Sequence, residues 1–271
     1  MEELPRRAFV EQIMGLPISI HVRGPAAREE RTAALVQDVY TDLRQIDALF
    51  STYRPDSQVS RINAGTLDLA DADPLLDEIH LLADIAEEAT DGRFSIYLPD
   101  ADGTTRLDPS GIVKGWAAQR AFARLQTLDQ DICLNAGGDV IVSTAAGGPP
   151  WQIGIEHPQT DQLLGVLLRA AGAVATSGTR ARGEHLIDPR DGSHPQPLHQ
   201  VTVAGPSLIW ADILATAAFI QGPDAVDWLA DIPHYEGLSI ARSGLVRTTA
   251  GFWSQHPLTI WSTAAAEDEQ R

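Results

Sequence analysis

The chain has 271 residues, 44% of them hydrophobic, and sets 37 acidic side chains against 20 basic ones, for a formal charge of −17. That length and apolar content suit a globular protein with a substantial core, and the acidity argues against nucleic acid or an anionic membrane surface as a partner. Cys133 is the one cysteine, so an intramolecular disulfide is excluded, and within Ile132-Cys133-Leu134 it reads as a small buried residue.

Near the N-terminus Arg6-Arg7 lead into Ala8-Phe9-Val10-Glu11 without the apolar run of a signal peptide. No later stretch is long and apolar enough to span a bilayer, so the sequence predicts a cytoplasmic location without stable membrane insertion. Residues 18–23 alternate as a strand and end at Gly24-Pro25. From 31 to 50 apolar residues recur at helical spacing. Pro74 opens a second helix, with Leu75, Ile79, Leu82 and Ile85 expected on its inner face. A third helix is expected after Gly115, carrying Ala118, Phe122 and Leu125 inward.

The second half is richer in strands. Residues 132–142, 151–155, 163–168, 173–176 and 200–203 are short apolar or alternating runs. Residues 207–220 read as a helix with Ser207 as its cap. A short helix over 225–229 and closing strands over 238–241 and 258–261 complete the pattern. No fixed-period repeat and no long Gly/Ser/Pro linker divides the chain. The expectation is one α+β domain over residues 1–271, mostly antiparallel sheet packed with helices, with about eight flexible residues at either end.

Three segments and one spacing carry possible chemistry. Asn135-Ala136-Gly137-Gly138-Asp139 lies in a strand-like run, and paired glycines there mark a bulge or a close approach by a ligand or another chain segment. Residues 107–115 place Gly111 and Lys114 just before a helix. A helix N-terminus of that kind can receive phosphate, or the loop is a turn with a surface lysine. Residues 175–192 cluster hydroxyls, arginines, His185, Asp188 and Asp191. His185 could serve as a general base near neutral pH or as a hydrogen-bonded structural residue, and Asp188-Pro189-Arg190-Asp191-Gly192 could be a tight turn. Finally, Asp212 and Thr216 stand four apart on an apolar helix, so both oxygens face one way. Hard oxygens of that kind suit Mg²⁺, which takes few protein ligands and leaves room for phosphates.

In this order the segments resemble the ApbE family, the FAD:protein FMN transferases. The resemblance runs from Met14-Gly15 through Ser51-Thr52-Tyr53-Arg54-Pro55-Asp56-Ser57, Ser60-Arg61-Ile62-Asn63 and Thr90-Asp91-Gly92-Arg93-Phe94. It continues through residues 108–115, 135–139, Ala175-Thr176-Ser177-Gly178 and 185–189, to 212–216. It implies one α+β domain that binds FAD in a cleft with Mg²⁺ and transfers FMN to a Thr or Ser hydroxyl of an acceptor protein, releasing AMP. By the resemblance, Asp212 and Thr216 are side-chain metal ligands, joined by a backbone carbonyl near Gly111. Met14, Tyr53, Arg93, Phe94, Ser95, Asp108, Lys114, His185 and Ile187 are FAD contacts. Ser95 stands where the family usually has Asp.

The implied chemistry suits these residue types. Cleaving a diphosphate builds charge on its oxygens, which Mg²⁺ and Lys114 can neutralise. His185 is the candidate base, with Asp188 as a competitor or as the group orienting it. Met14, Tyr53 and Phe94 offer a wall for a flat heterocycle. Two other readings use the same site: an Mg²⁺-dependent FAD pyrophosphatase, with water as nucleophile, and a non-catalytic FAD-binding or delivery protein.

Overall fold

The computed structural model describes residues 4–100, 103–179, 186–195 and 197–253. In chain order it forms β1 (Arg6–Ile13), β2 (Leu16–Arg23), α1 (Glu30–Phe50), α2 (Gln58–Asn63), α3 (Pro74–Ala89), β3 (Tyr97–Pro99) and β4 (Thr105–Leu107). There follow α4 (Ser110–Leu125), β5 (Asp131–Ala136), β6 (Asp139–Thr144), β7 (Trp151–Glu156), β8 (Leu163–Arg169), β9 (Ala171–Gly178) and β10 (Leu198–Gly205). The last elements are α5 (Leu208–Gln221), α6 (Ala225–Ala230), β11 (Glu236–Ala241) and β12 (Val246–Thr248). The expected strand over 258–261 lies outside the described residues. Among the described residues no helix is long and apolar enough to cross a membrane.

Eight strands form one sheet in the order β1-β2-β5-β6-β9-β10-β11-β12, and each neighbouring pair is antiparallel. The period of two along each strand sorts side chains onto its faces. Ile18, Ile20, Val22, Ile132, Leu134, Val201 and Val203 point into a large core shared with α1, α4 and α5. Val140, Val142, Val174, Leu238 and Ile240 point the other way, into a smaller core. That second core is closed by Ile153 and Ile155 of β7, Leu167 of β8 and Phe252. The β7–β8 pair is a separate two-stranded sheet lying over the main one.

α5 is apolar nearly all round, which marks a helix buried on every side. Leu208, Ala211, Ile213, Leu214, Ala215, Ala217, Ala218 and Phe219 are all buried, and Asp212 is buried among them at 4% exposure. Ser207 caps this helix as expected, accepting from the Trp210 N–H. Gln119 of α4 adds a second cap: its Oε1 accepts from the Leu208 N–H at 2.8 Å and from the Ser207 hydroxyl at 2.9 Å. Ser207 and Gln119 together thus satisfy N-terminal donors of α5 that would otherwise be orphaned, and Gln119 fixes the helix to α4.

Three sequence expectations need correction. The segment 135–139 is neither a bulge nor a continuous strand. Gly137 and Gly138, at φ 64° and 106°, turn the chain between β5 and β6. Two adjacent residues at positive φ make a tight hairpin, which glycine adopts without steric cost. α4 starts at Ser110, well ahead of the start expected after Gly115, so Gly111 and Lys114 are helical and not in a loop. Pro109 precedes the first turn, where its missing N–H costs nothing. On α3 the buried stripe is Leu76, Ile79, Ala83 and Ala86. Leu75 and Leu82 are only partly buried, and Ile85 is 45% exposed. Alanines at 83 and 86 let the helix sit close to the core, and a reading weighted toward large residues misplaces that face. β1 was also not anticipated; its pairing with β2 brings Arg6, Arg7 and Ala8 into the sheet.

Candidate functional site

One end of the main sheet gathers the starts of β2, β6 and β10 and the ends of β5 and β9. A cavity of about 970 Å³ opens there, between α4 and α5 on one side and β7 on the other. That is the size of a typical cleft for a large small-molecule ligand.

Short polar turns bring residues to it. Thr90 is fully buried; its hydroxyl donates to the Ala86 carbonyl at 2.7 Å and accepts from the Phe94 N–H at 3.1 Å. Asp91 and Gly92 follow at φ 48° and 72°, reversing the chain so that Phe94 enters the cavity wall. Phe94 packs on Gly111, where an added Cβ would lie 3.2 Å from its ring. Asn63 clamps Leu107 with both ends of its amide, each bond 2.8 Å, and so fixes the strand that leads into α4. Asp108 then accepts from the Ser110 N–H at 3.2 Å and from Arg106 at 2.8 Å.

The charged centre lies between α4, α5 and the β5–β6 turn. Asp139, 2% exposed, opens β6 directly after Gly138. Its Oδ1 accepts from the Thr176 N–H at 3.0 Å, which fixes the carboxylate against β9. The Lys114 ammonium forms an ion pair with the Asp139 carboxylate and lies 3.4 Å from Asp212 Oδ1. Four residues on from Asp212, the Thr216 hydroxyl is 3.0 Å from the Ser177 hydroxyl. Gly115 allows this approach, since a Cβ there would lie 3.2 Å from Asp212 Oδ2 and 3.3 Å from Ile209 Cα.

Among the described residues no group of three or more His, Cys, Asp or Glu side chains could enclose a metal ion. Mg²⁺ does not need such a cage, because it keeps water and phosphate ligands. The donor chemistry fits: a carboxylate and a hydroxyl share one face of α5. Two nearly fully buried carboxylates, Asp139 and Asp212, face this cavity, and buried carboxylates are stable only beside cations.

Arg93, Phe94, Ser95, Asp108, Gly111 and Lys114 line the cavity, as do Ile187, Asp212 and Thr216. Met14, Tyr53 and Asp188 do not. Met14 sits in the β1–β2 turn at φ 57°, half-buried against the large core. Tyr53 is 92% exposed, at the tip of a loop tied by Ser51 and Ser57. Asp188 is buried and held by Arg190 through two bonds of 2.8 and 2.6 Å. That pairing keeps its carboxyl below the usual range. His185 lies outside the described residues; its neighbours Leu186 and Ile187 line the cavity.

The ApbE family model matches residues 14–99 and 98–239. The chain belongs to the ApbE family. A FAD:protein FMN transferase of Haemophilus influenzae is 30% identical over 165 residues, covering 54% of this chain and 45% of that protein. One of Vibrio cholerae serotype O1 is 31% identical over 134 residues, covering 44% and 39%. The matched stretch thus spans less than half the length of these curated relatives. The ApbE protein of Thermotoga maritima has the same fold, with TM-score 0.79 at 22% identity, covering 92% of this chain and 98% of that one. The apo flavinyl transferase ApbE of Pseudomonas stutzeri gives 0.77 at 21%, covering 93% and 97%.

The ApbE motifs of this chain are largely the turns that deliver the site, as Thr90, Asn63 and the Gly137-Gly138 pair show. Sequence reading passed over three residues that the cavity brings in. In the sequence Asp139 stands only as the end of a glycine motif, and an acid directly after a two-glycine hairpin turn is its signal. His199 lies at an irregularity in the β10 register, and burial followed by the nearby Arg242 charge lowers its pKa. Trp151 on β7 had no local signal at all. Cys133 also lines the wall, and burial pushes its thiol up to about 12, so it is an uncharged surface.

Proposed function

We propose that this protein transfers FMN from FAD to a Thr or Ser hydroxyl of an acceptor protein, with Mg²⁺ bound and AMP released. The observation that carries the reading is the meeting of Lys114, Asp139, Asp212 and Thr216 at one end of a cavity large enough for a dinucleotide.

The residues divide the work. Asp212 and Thr216 would hold the metal from one face of α5, with the Gly111 carbonyl offering its second lone pair from the first turn of α4. When bound, the metal supplies charge neutralisation on the diphosphate oxygens. Lys114, fixed by Asp139, presents an ammonium to the same oxygens and limits their motion, which favours in-line displacement. Arg93 and Asp108 give the ligand polar anchors, while Phe94, Ile153 and Ile155 give it an apolar wall. The incoming hydroxyl needs a proton acceptor. His185 takes that role in this reading, because imidazole is the usual proton acceptor near neutral pH. Asp188, held ionised by Arg190, is a weak base.

Incubation with FAD, Mg²⁺ and an acceptor protein carrying a Thr or Ser site should yield a covalent FMN adduct by mass spectrometry and an equal amount of AMP. FMN released free at the same rate with and without acceptor would show hydrolysis in place of transfer. FAD that binds and stays intact would leave only a binding protein.

A further inference from the structure

We propose that Lys114 is the resident cation of the metal site. It bridges Asp139 and Asp212 when no metal is bound, and withdraws onto Asp139 when a divalent cation takes Asp212. Asp139 is then a positioning residue that keeps the displaced ammonium beside the diphosphate. This rests on the reading that Asp212 is a metal ligand.

The geometry is asymmetric in the way such an exchange requires. Lys114 is in direct ion-pair contact with Asp139, whereas its ammonium stands 3.4 Å from Asp212 Oδ1. The nearer carboxylate is anchored, because Thr176 N–H holds its other oxygen at 3.0 Å from β9. Both carboxylates are almost fully buried, with side chains 2% and 5% exposed. Two like charges so enclosed need a cation between them at all times, or the site loses stability. Lys114 meets that need without metal. Its flexible four-carbon stem lets the ammonium move while α4 stays in place. A metal at Asp212 must therefore compete with an ammonium already there, which lowers affinity for free cations. A ligand carrying a diphosphate offsets that cost, because it brings negative charge to both the metal and the released ammonium. The arrangement makes metal and substrate binding mutually reinforcing.

The test titrates the full chain with Mn²⁺, a hard-cation probe read by electron paramagnetic resonance, without flavin. Wild type should bind Mn²⁺, and Asp212→Asn should abolish binding; if wild type binds none, the metal reading itself fails. Given binding, Lys114→Met should tighten it by about tenfold or more, since a competing charge has gone. Unchanged or weaker binding overturns the proposal while leaving Asp212 as a ligand. Asp139→Asn discriminates exchange from simple charge. It should weaken Mn²⁺ binding more in the presence of Lys114 than in the Lys114→Met background, because Lys114 without Asp139 falls back on Asp212. Equal weakening in both backgrounds overturns the exchange. Should Lys114→Met be too unstable to titrate, its melting temperature decides. A rise on adding Mn²⁺ larger than the wild-type rise supports the proposal, and an equal or smaller rise overturns it.

Discussion

On one face of the central sheet, α4 and α5 place Lys114, Asp212 and Thr216 against Asp139. On the other face, the β7–β8 hairpin supplies Trp151, Ile153 and Ile155 over a small core. The two faces use burial differently. The helix side is anchored by a large continuous core, and α5 is enclosed all round. An enclosed helix can hold a carboxylate in a low-dielectric position, because the surrounding packing prevents relaxation away from it. The hairpin side contributes a mainly apolar surface, with Glu156 at the end of β7, and the nearby Cys133 thiol of β5 stays protonated. Ionic work and apolar binding are thus separated across a single sheet, and substitutions on the two sides should have separable effects.

The largest effect is expected at Asp212. Replacing it with Ala removes the proposed metal carboxylate and should lower the rate by about 10²–10³-fold, the scale of losing one preorganised electrostatic group. Circular dichroism should show the fold retained. A variant with full Mg²⁺-dependent activity would refute the ligand assignment. Gly115→Ala comes next. The added methyl meets Asp212 Oδ2 at 3.2 Å and Ile209 Cα at 3.3 Å, and backbone cannot give way as a side chain can. Overpacking outweighs the gain in helix propensity, for a net loss of about 1–2 kcal/mol. Thermal melts should show that loss, and Mn²⁺ titration should show weaker binding alongside it.

Ile155→Val probes the other face. It removes one methylene from the small core and should cost about 0.5–1.5 kcal/mol. Here the melting temperature should fall while Mn²⁺ affinity stays unchanged. A matched fall in metal affinity would show that the two faces are coupled and would end the separation drawn above.

How much of this was legible depends on the kind of signal each residue leaves. The α5 helix, its Ser207 cap and the Asp212–Thr216 pair were readable because period, cap and spacing are local. The α+β class followed from the mixture of short strands and helices. Asp139 was harder to read: its importance comes from Lys114, 25 positions earlier, and from Thr176 on a third element. The start of α4 was missed because Gly111 reads as a breaker, whereas the fold needs it there to seat Phe94. The inner face of α3 was misread because Ala83 and Ala86 bury little area, yet they allow close approach. The hairpin wall left no sequence trace of its role, since apolar strands look alike whichever surface they cover.

The smallest expected effect separates charge that binds from charge that shapes. Arg190 holds the Asp188 carboxyl below its usual range through side-chain hydrogen bonds, with its own side chain 45% exposed. A carboxylate with a lowered folded pKa stabilises the fold above its unfolded pKa, near 4, and that contribution is lost as the pH falls through the folded value. Arg190→Gln should therefore lower the melting temperature at neutral pH and lose that difference progressively below about pH 4. Solvent screening of the exposed guanidinium keeps the neutral-pH loss small. Metal affinity at pH 7 should not change, because neither partner lines the charged centre. If Arg190→Gln weakens Mn²⁺ binding as strongly as Asp139→Asn, the Asp188 turn belongs to the ionic side of the molecule, and the division between the two faces must be redrawn around the segment that carries His185.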